Sequence, residues 1–240
     1  MSNPSNNHKN ENQNASLNNH SQGFISRHIA MYKNALILAV FAFVSTGLIG
    51  ITHLLTKDKI AEEVEILLIK QLSEIVPASH YSNDVFDDCI FVQDKIFLGS
   101  DQDVKLFRMR NAKKPYAVLL TAIAPDGYSG KIELAIAISY DGDLKGVNIL
   151  THQETPGLGD KIERNKSDWL NQFDGLSLIK FTEKQWKVKK DGGEFDALTG
   201  ATITPRAVVK AVYNSMLFYK NNRSSLFETV SSCSDTESRL

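Results

Sequence analysis

Apolar side chains are nearly absent from the first 23 residues, MSNPSNNHKNENQNASLNNHSQG, which are asparagine and serine in the main. Such a stretch cannot bury enough surface to offset the entropy of ordering it, so residues 1–34 are expected to be a disordered tail. The pattern then reverses. From Ala35 to Leu55 the chain reads ALILAVFAFVSTGLIGITHLL, where only Ser45, Thr46, Thr52 and His53 are polar and no residue carries a fixed charge. That length matches the roughly 20 residues a helix needs to cross the hydrocarbon layer. A cleaved signal peptide has an apolar run of about 7 to 15 residues and a small-residue cleavage site, so a retained transmembrane helix over 35–55 is the better reading. Arg27 and Lys33 before the span are matched by Lys57, Lys59 and Lys70 after it, so basic residues do not choose an orientation.

Beyond the span, Ile60, Val64, Leu67, Leu68, Leu72, Ile75 and Val76 recur at three- and four-residue intervals up to Pro77. This spacing predicts a linker helix within 56–80. Between Cys89 and Ala124 the short apolar runs CIFV, VKLFRM and YAVLLTAIA are parted by charged or glycine-containing stretches, as strands are. In KIELAIAISY, Ile132, Leu134, Ile136 and Ile138 alternate onto one face, and Asp-Gly turns the chain into LKGVNIL, which predicts a hairpin. KSDWLNQF reads as a short helix capped by Ser167 or Asp168, with Trp169, Leu170 and Phe173 inward. A last helix is expected to begin at Pro205 with Thr204 as its cap and Val208, Val209, Val212, Met216 and Tyr219 as its apolar stripe. Strand runs without regular strand-helix alternation define an α+β class. The expected organisation is one transmembrane helix, a mixed-sheet domain over 81–220 and a flexible tail over 221–240.

At 240 residues and 42% hydrophobic content, the chain can bury one sizeable core with appendages. A net charge of -1 gives no broad attraction to nucleic acid. Cys89 and Cys233 are too few and too far apart in sequence to indicate a disulfide framework or a metal cluster, and buried or incidental thiols are expected.

Three polar, glycine-containing stretches stand out: APDGYSGKI at 124–132, THQETPGLGDKIE at 151–163 and KKDGGEFDALTGATITP at 189–205. Glycine lets backbone N–H groups come close to a ligand, and a helix N-terminus adds partial positive charge, so Gly200 to Pro205 suits a phosphate. It lacks the P-loop lysine arrangement and the dinucleotide glycine pattern, and an ordinary capped turn remains the alternative. His152 and Glu154 alone make a weak metal site, and no Ser-His-Asp or Cys-His arrangement is picked out.

The run DALTGATITPRAVVKAV resembles the flavinylation sequence Asp-x-x-(Ser/Thr)-Gly-Ala-Thr. Together with ETPGLGDKIE, APDGYSGKI and WKVKKDGGEFD, it is similar to segments of the G subunit of the Rnf, or Rsx, ion-translocating electron-transport complex. The similarity extends from about Asn34 through Val209 and includes STGL and TKDKIAEE at the exit of the span. The resemblance implies an FMN-binding domain in which a flavin transferase joins the FMN phosphate to Thr202 as a phosphoester. It places Thr199, Gly200 and Ala201 at the acceptor turn, and Asp196 at the start of the transferase recognition sequence. It sets Glu154, Thr155, Gly157 and Leu158 near the flavin ring, with Tyr128, Ser129 and Lys161 as further neighbours. Lys189 and Lys190 could bind phosphate, although solvated surface lysines are the commoner outcome. It implies a single span in the bacterial inner membrane, N-terminus cytoplasmic and flavin domain periplasmic. The partners would be the other membrane subunits of the complex. The chain itself would be an electron carrier within a redox-driven ion translocase, without catalytic residues or a metal of its own. Two rival readings are the C subunit of a sodium-pumping quinone reductase, which shares the acceptor motif, and a non-redox, membrane-anchored binding or assembly module.

Overall fold

Residues 32–33, 35–57, 59 and 75–233 are described by the structure, a computed structural model. The chain divides into two units, residues 1–64 and 65–240. In the first, helix α1 spans Ala35–Lys57 and is long and apolar enough to cross a membrane. Inside it the hydroxyls of Thr52 and Thr56 donate to the carbonyls four residues earlier, Leu48 at 2.8 Å and Thr52 at 2.6 Å. Their polar groups are thus satisfied within the helix, as a span in lipid requires. Most of the expected linker helix, residues 60–74, lies outside the described residues.

The second unit is built on five strands, β1 Cys89–Asp94, β2 Ser100–Asn111, β3 Lys114–Ala124, β4 Ile132–Ser139 and β5 Leu144–Thr151. They lie side by side in sequence order, and every pairing is antiparallel. The class is α+β as expected, but the sheet is a simple meander where a mixed one was anticipated. The Asp-Gly hairpin is present between β4 and β5. Register explains the two-faced burial. Leu106, Leu120, Ile136 and Val147 form a row across four strands, while the next row, Phe107, Leu119 and Ala137, points to the opposite face.

The first face carries the main core. Helix α2, Ile203–Glu228, lays Val208, Val209, Val212, Met216 and Tyr219 on it. Each fully buried aliphatic side chain of this stripe contributes roughly 1.5–3 kcal/mol. Beside the helix sits an aromatic cluster of Trp169, Phe173, Trp186 and Phe195, with Phe173 and Phe195 stacked at 4.7 Å between ring centroids. Trp169 and Phe173 come from a 3-10 turn, Asp168–Phe173, whose N-cap Ser167, one of the two caps the sequence offered, accepts the Trp169 N–H. The opposite face packs on Ile75, Val76, Val85 and Cys89.

Two expectations at the C-terminal end are corrected. Helix α2 continues to Glu228, past the point where a flexible tail was expected, and residues 229–233 turn back onto β1. Cys89 and Cys233 form a disulfide with their Cα atoms 5.4 Å apart. A sequence separation of 144 hid the pairing. The same end is fastened by charge: Arg108, only 2% exposed, is ion-paired with Asp88 and donates to the Leu226 carbonyl at 3.0 Å and to that of Thr229. Arg110 donates to Asp88 at 2.6 Å and to the Phe227 carbonyl at 3.0 Å. Cations belong here, since the last carbonyls of a helix are unpaired and carry partial negative charge.

Candidate flavin site

The motif that resembles a flavinylation sequence begins where the aromatic cluster ends. Trp169 donates its indole N–H to the Asp196 carbonyl at 2.7 Å, and the Asp196 N–H donates to Gln172 Oε1 at 2.8 Å. The chain then makes a four-residue turn closed by the Ala201 N–H on the Leu198 carbonyl at 3.0 Å. Gly200 stands third in that turn with φ +82°, a conformation that disfavours any side chain. A Cβ there would also approach Leu158 Cδ2 to 2.8 Å.

Helix α2 starts immediately afterwards, and it starts earlier than expected. Its N-cap is Thr202, whose side chain makes no capping hydrogen bond. Thr204, assigned by the sequence to the cap, is instead fully buried in the first turn. Its hydroxyl donates to Glu154 Oε2 across 50 residues of sequence. The Thr202 hydroxyl is therefore not spent on the helix, and the first-turn N–H groups face outward with the positive end of the helix dipole.

These residues open onto a cavity of about 370 Å³, within the range of small-ligand sites. Among the expected site residues, Tyr128, Glu154, Thr155, Leu158, Gly200, Ala201 and Thr202 line it, joined by Gly159, Ile203 and Thr204. Its rim is apolar and open: Tyr128 is 66% exposed, Leu158 42% and Ile203 45%. Ser129 contributes through its backbone, the N–H donating to Glu154 Oε1 at 3.0 Å. Thr199, Gly157, Lys161 and Asp196 are near in sequence but are not on the wall. Lys161 gives its carbonyl to the Ser167 hydroxyl at 2.5 Å. Asp196 pairs with Lys189 at 2.6 Å, which raises the Lys189 ammonium pKa. The contributions of Gly159 and Thr204 were not legible in the sequence; Gly159 lies inside the ETPGLG run, and its closeness to Glu154 is the only signal there was.

His152, a weak metal candidate by sequence, has another task. Its Nδ1 accepts the Glu154 N–H at 3.0 Å. The ring proton must therefore sit on Nε2, which donates to Glu163 Oε1 at 2.9 Å. Lys166 bridges Glu163 at 2.7 Å and buried Asp160 at 2.9 Å. The Gly157 N–H, then Lys166, hold Asp160 below the usual carboxylate range. Glu163 is lowered by Lys166 and then His152, and Lys166 is raised by Glu163 and Asp160 in turn. This ionic chain fixes the loop that carries Glu154 and Leu158.

A half-open cavity with an apolar rim, a helix N-terminus and an uncommitted hydroxyl fits a planar ring joined to a phosphate, and the sheet and helix that support it form an FMN-binding domain. The family model described as the FMN-binding domain matches residues 127–216, and the RnfG N-terminal region matches residues 26–75. Proteins named as the G subunit of the ion-translocating oxidoreductase complex align over most of the chain. The one from Shewanella baltica (strain OS223) is 45% identical over 203 residues, 85% of this chain and 96% of its own length. Those from Pseudoalteromonas atlantica and Vibrio atlanticus are 43% and 42% identical, covering 84% and 85% of this chain and 94% and 97% of their own lengths. The chain belongs to this G-subunit family, and the quinone-reductase C subunit reading gives way to it.

Proposed function

We propose that the protein is a membrane-anchored flavoprotein that relays electrons within an ion-translocating oxidoreductase complex, with FMN joined covalently to Thr202. The observation that carries this reading is the uncapped Thr202: a threonine at the N-cap of a 26-residue helix, beside a cavity, with its hydroxyl left out of the capping role. A phosphate bonded to that oxygen would meet the first-turn N–H groups and the helix dipole. Thr199 and Gly200 form the turn that presents it, and Asp196 stands exposed at the start of the recognition sequence for a flavin transferase. When bound, FMN supplies reversible electron transfer, and the chain's residues orient it and shape its electrostatic surroundings. Tyr128, Leu158 and Ile203 offer apolar surface to the ring, with Thr155, Gly157, Ser129 and Lys161 in the adjoining loops.

In this reading α1 is a single span of the bacterial inner membrane, the N-terminus is cytoplasmic and the flavin domain periplasmic. The disulfide supports that orientation, since such bonds persist in oxidising compartments. The partners are the other membrane subunits of the complex. The chain is an electron carrier, and turnover belongs to the assembly. A permanent bond suits the task, because a carrier outside the cytoplasm gains nothing from cofactor exchange. Expression with a flavin transferase should give a fluorescent band that survives denaturing electrophoresis. Thr202→Ala should abolish it; a band of unchanged intensity in that variant would overturn the site assignment.

A further inference from the structure

Glu154 joins all three glycine-containing stretches. It belongs to 151–163, takes the Ser129 N–H from 124–132, and takes the Thr204 hydroxyl from the stretch that ends at Pro205. It is 4% exposed, and burying a carboxylate is costly unless its oxygens are hydrogen-bonded. Both are. The fit around it is close, since a Cβ at Gly159 would come within 3.0 Å of both Glu154 Cβ and Thr204 Oγ1. An uncharged amide could accept the Ser129 N–H, and an apolar pair could replace the Thr204 contact, so holding the junction together does not by itself require a carboxylate. A carboxylate adds something those replacements lack: among the described residues lining the cavity, Glu154 is the one acidic side chain.

We propose that Thr204 is a positioning residue which, with the Ser129 N–H, fixes the Glu154 carboxylate as the standing negative charge of the flavin cavity, and that this charge keeps the flavin's reduction potential low. The proposal rests on the reading of Thr202 as the attachment site. Reduction brings electrons into the cavity, and a fixed negative charge in a partly desolvated site opposes their arrival. The Thr204 hydroxyl keeps the carboxylate turned inward. Without it, the carboxylate has one donor fewer and a reason to seek water.

The test uses the full chain in detergent, made with and without a flavin transferase, as wild type, Glu154→Gln, Thr204→Val and Thr204→Ser. Intact mass should show covalent flavin on all four proteins. The flavin midpoint potential should shift upward in Glu154→Gln, shift in the same direction by less in Thr204→Val, and return to the wild-type value in Thr204→Ser. In protein made without transferase, hydrogen exchange at the Ser129 and Glu154 amides should be faster in Thr204→Val than in wild type or Thr204→Ser. Unchanged potentials in Glu154→Gln and Thr204→Val, with flavin present throughout, would overturn the proposal and leave the attachment reading standing. A wild type without flavin would overturn both. If Thr204→Val does not accumulate, the Glu154→Gln potential decides the matter alone.

Discussion

Single atoms decide several outcomes in this molecule. At Gly159 one added methyl group would press on Glu154 and Thr204 together, both at 3.0 Å. Overpacking of this kind typically costs about 1–3 kcal/mol, so Gly159→Ala should lower the midpoint of denaturant unfolding, followed in the full chain by the fluorescence of Trp169 and Trp186. Asp88 presents a different case. It neutralises Arg108, which is buried at the end of α2. Removing one partner of a buried pair strands the other, at a cost of about 3–5 kcal/mol. Asp88→Ala is therefore expected to destabilise the domain by that order, while Lys95→Ala, which breaks an exposed pair with Asp101, should change stability by less than about 1 kcal/mol. Equal effects in the same unfolding assay would contradict the burial argument.

Elements reveal how far the sequence could be read. Strands, hairpin and apolar stripes were legible because period-two and period-3.6 patterns follow from local backbone geometry. The apolar helix of 35–55 and the cap at Ser167 or Asp168 were legible for the same reason, since each is contiguous; the threonine motif was picked out only by its resemblance to a flavinylation sequence. Thr204 misled because Thr-Pro is a sound signal for a helix start; the helix begins at Ile203 instead, and the hydroxyl is captured by Glu154 from a distant loop. Nothing local marks Glu154 as the junction of three stretches, or Arg108 as a buried cation inside a strand. The loop carrying Glu154 also has a measurable signature. Asp160 and Glu163 are held below the usual carboxylate range and Lys166 is raised. The carboxylates' contribution to stability is thus present above their unfolded values of about 3.9 and 4.3. It is lost as pH falls through their lower folded values. The contribution of Lys166 is lost only as pH rises past its raised value, so the chain of charges is intact across the neutral range. The melting temperature should fall as the solution is acidified below about pH 4, and Lys166→Met should make that fall shallower. An identical acid profile in the variant would show that the cluster does not contribute.

Across the whole molecule, the C-terminal end is bound to β1 by a disulfide and by Ser231, whose hydroxyl accepts the Cys89 N–H at 3.2 Å, and to β2 by Arg108 and Arg110. A bond that closes so long a loop restricts the unfolded chain strongly, and the usual stabilisation is about 2–4 kcal/mol. Reduction, or Cys233→Ala, should lower the melting temperature and leave the flavin spectrum unchanged, because the bond lies at the opposite end of α2 from Thr202. An altered spectrum without any loss of stability would contradict that division. At this scale everything turns on a flavin phosphate bonded to Thr202. The direct measurement is proteolysis of protein purified from its native membranes, followed by fragment mass analysis of the peptide containing Asp196 to Arg206. The expected result is the mass of FMN less one water, located on Thr202. An unmodified peptide, or the same mass on Thr199 or Thr204, would contradict the account.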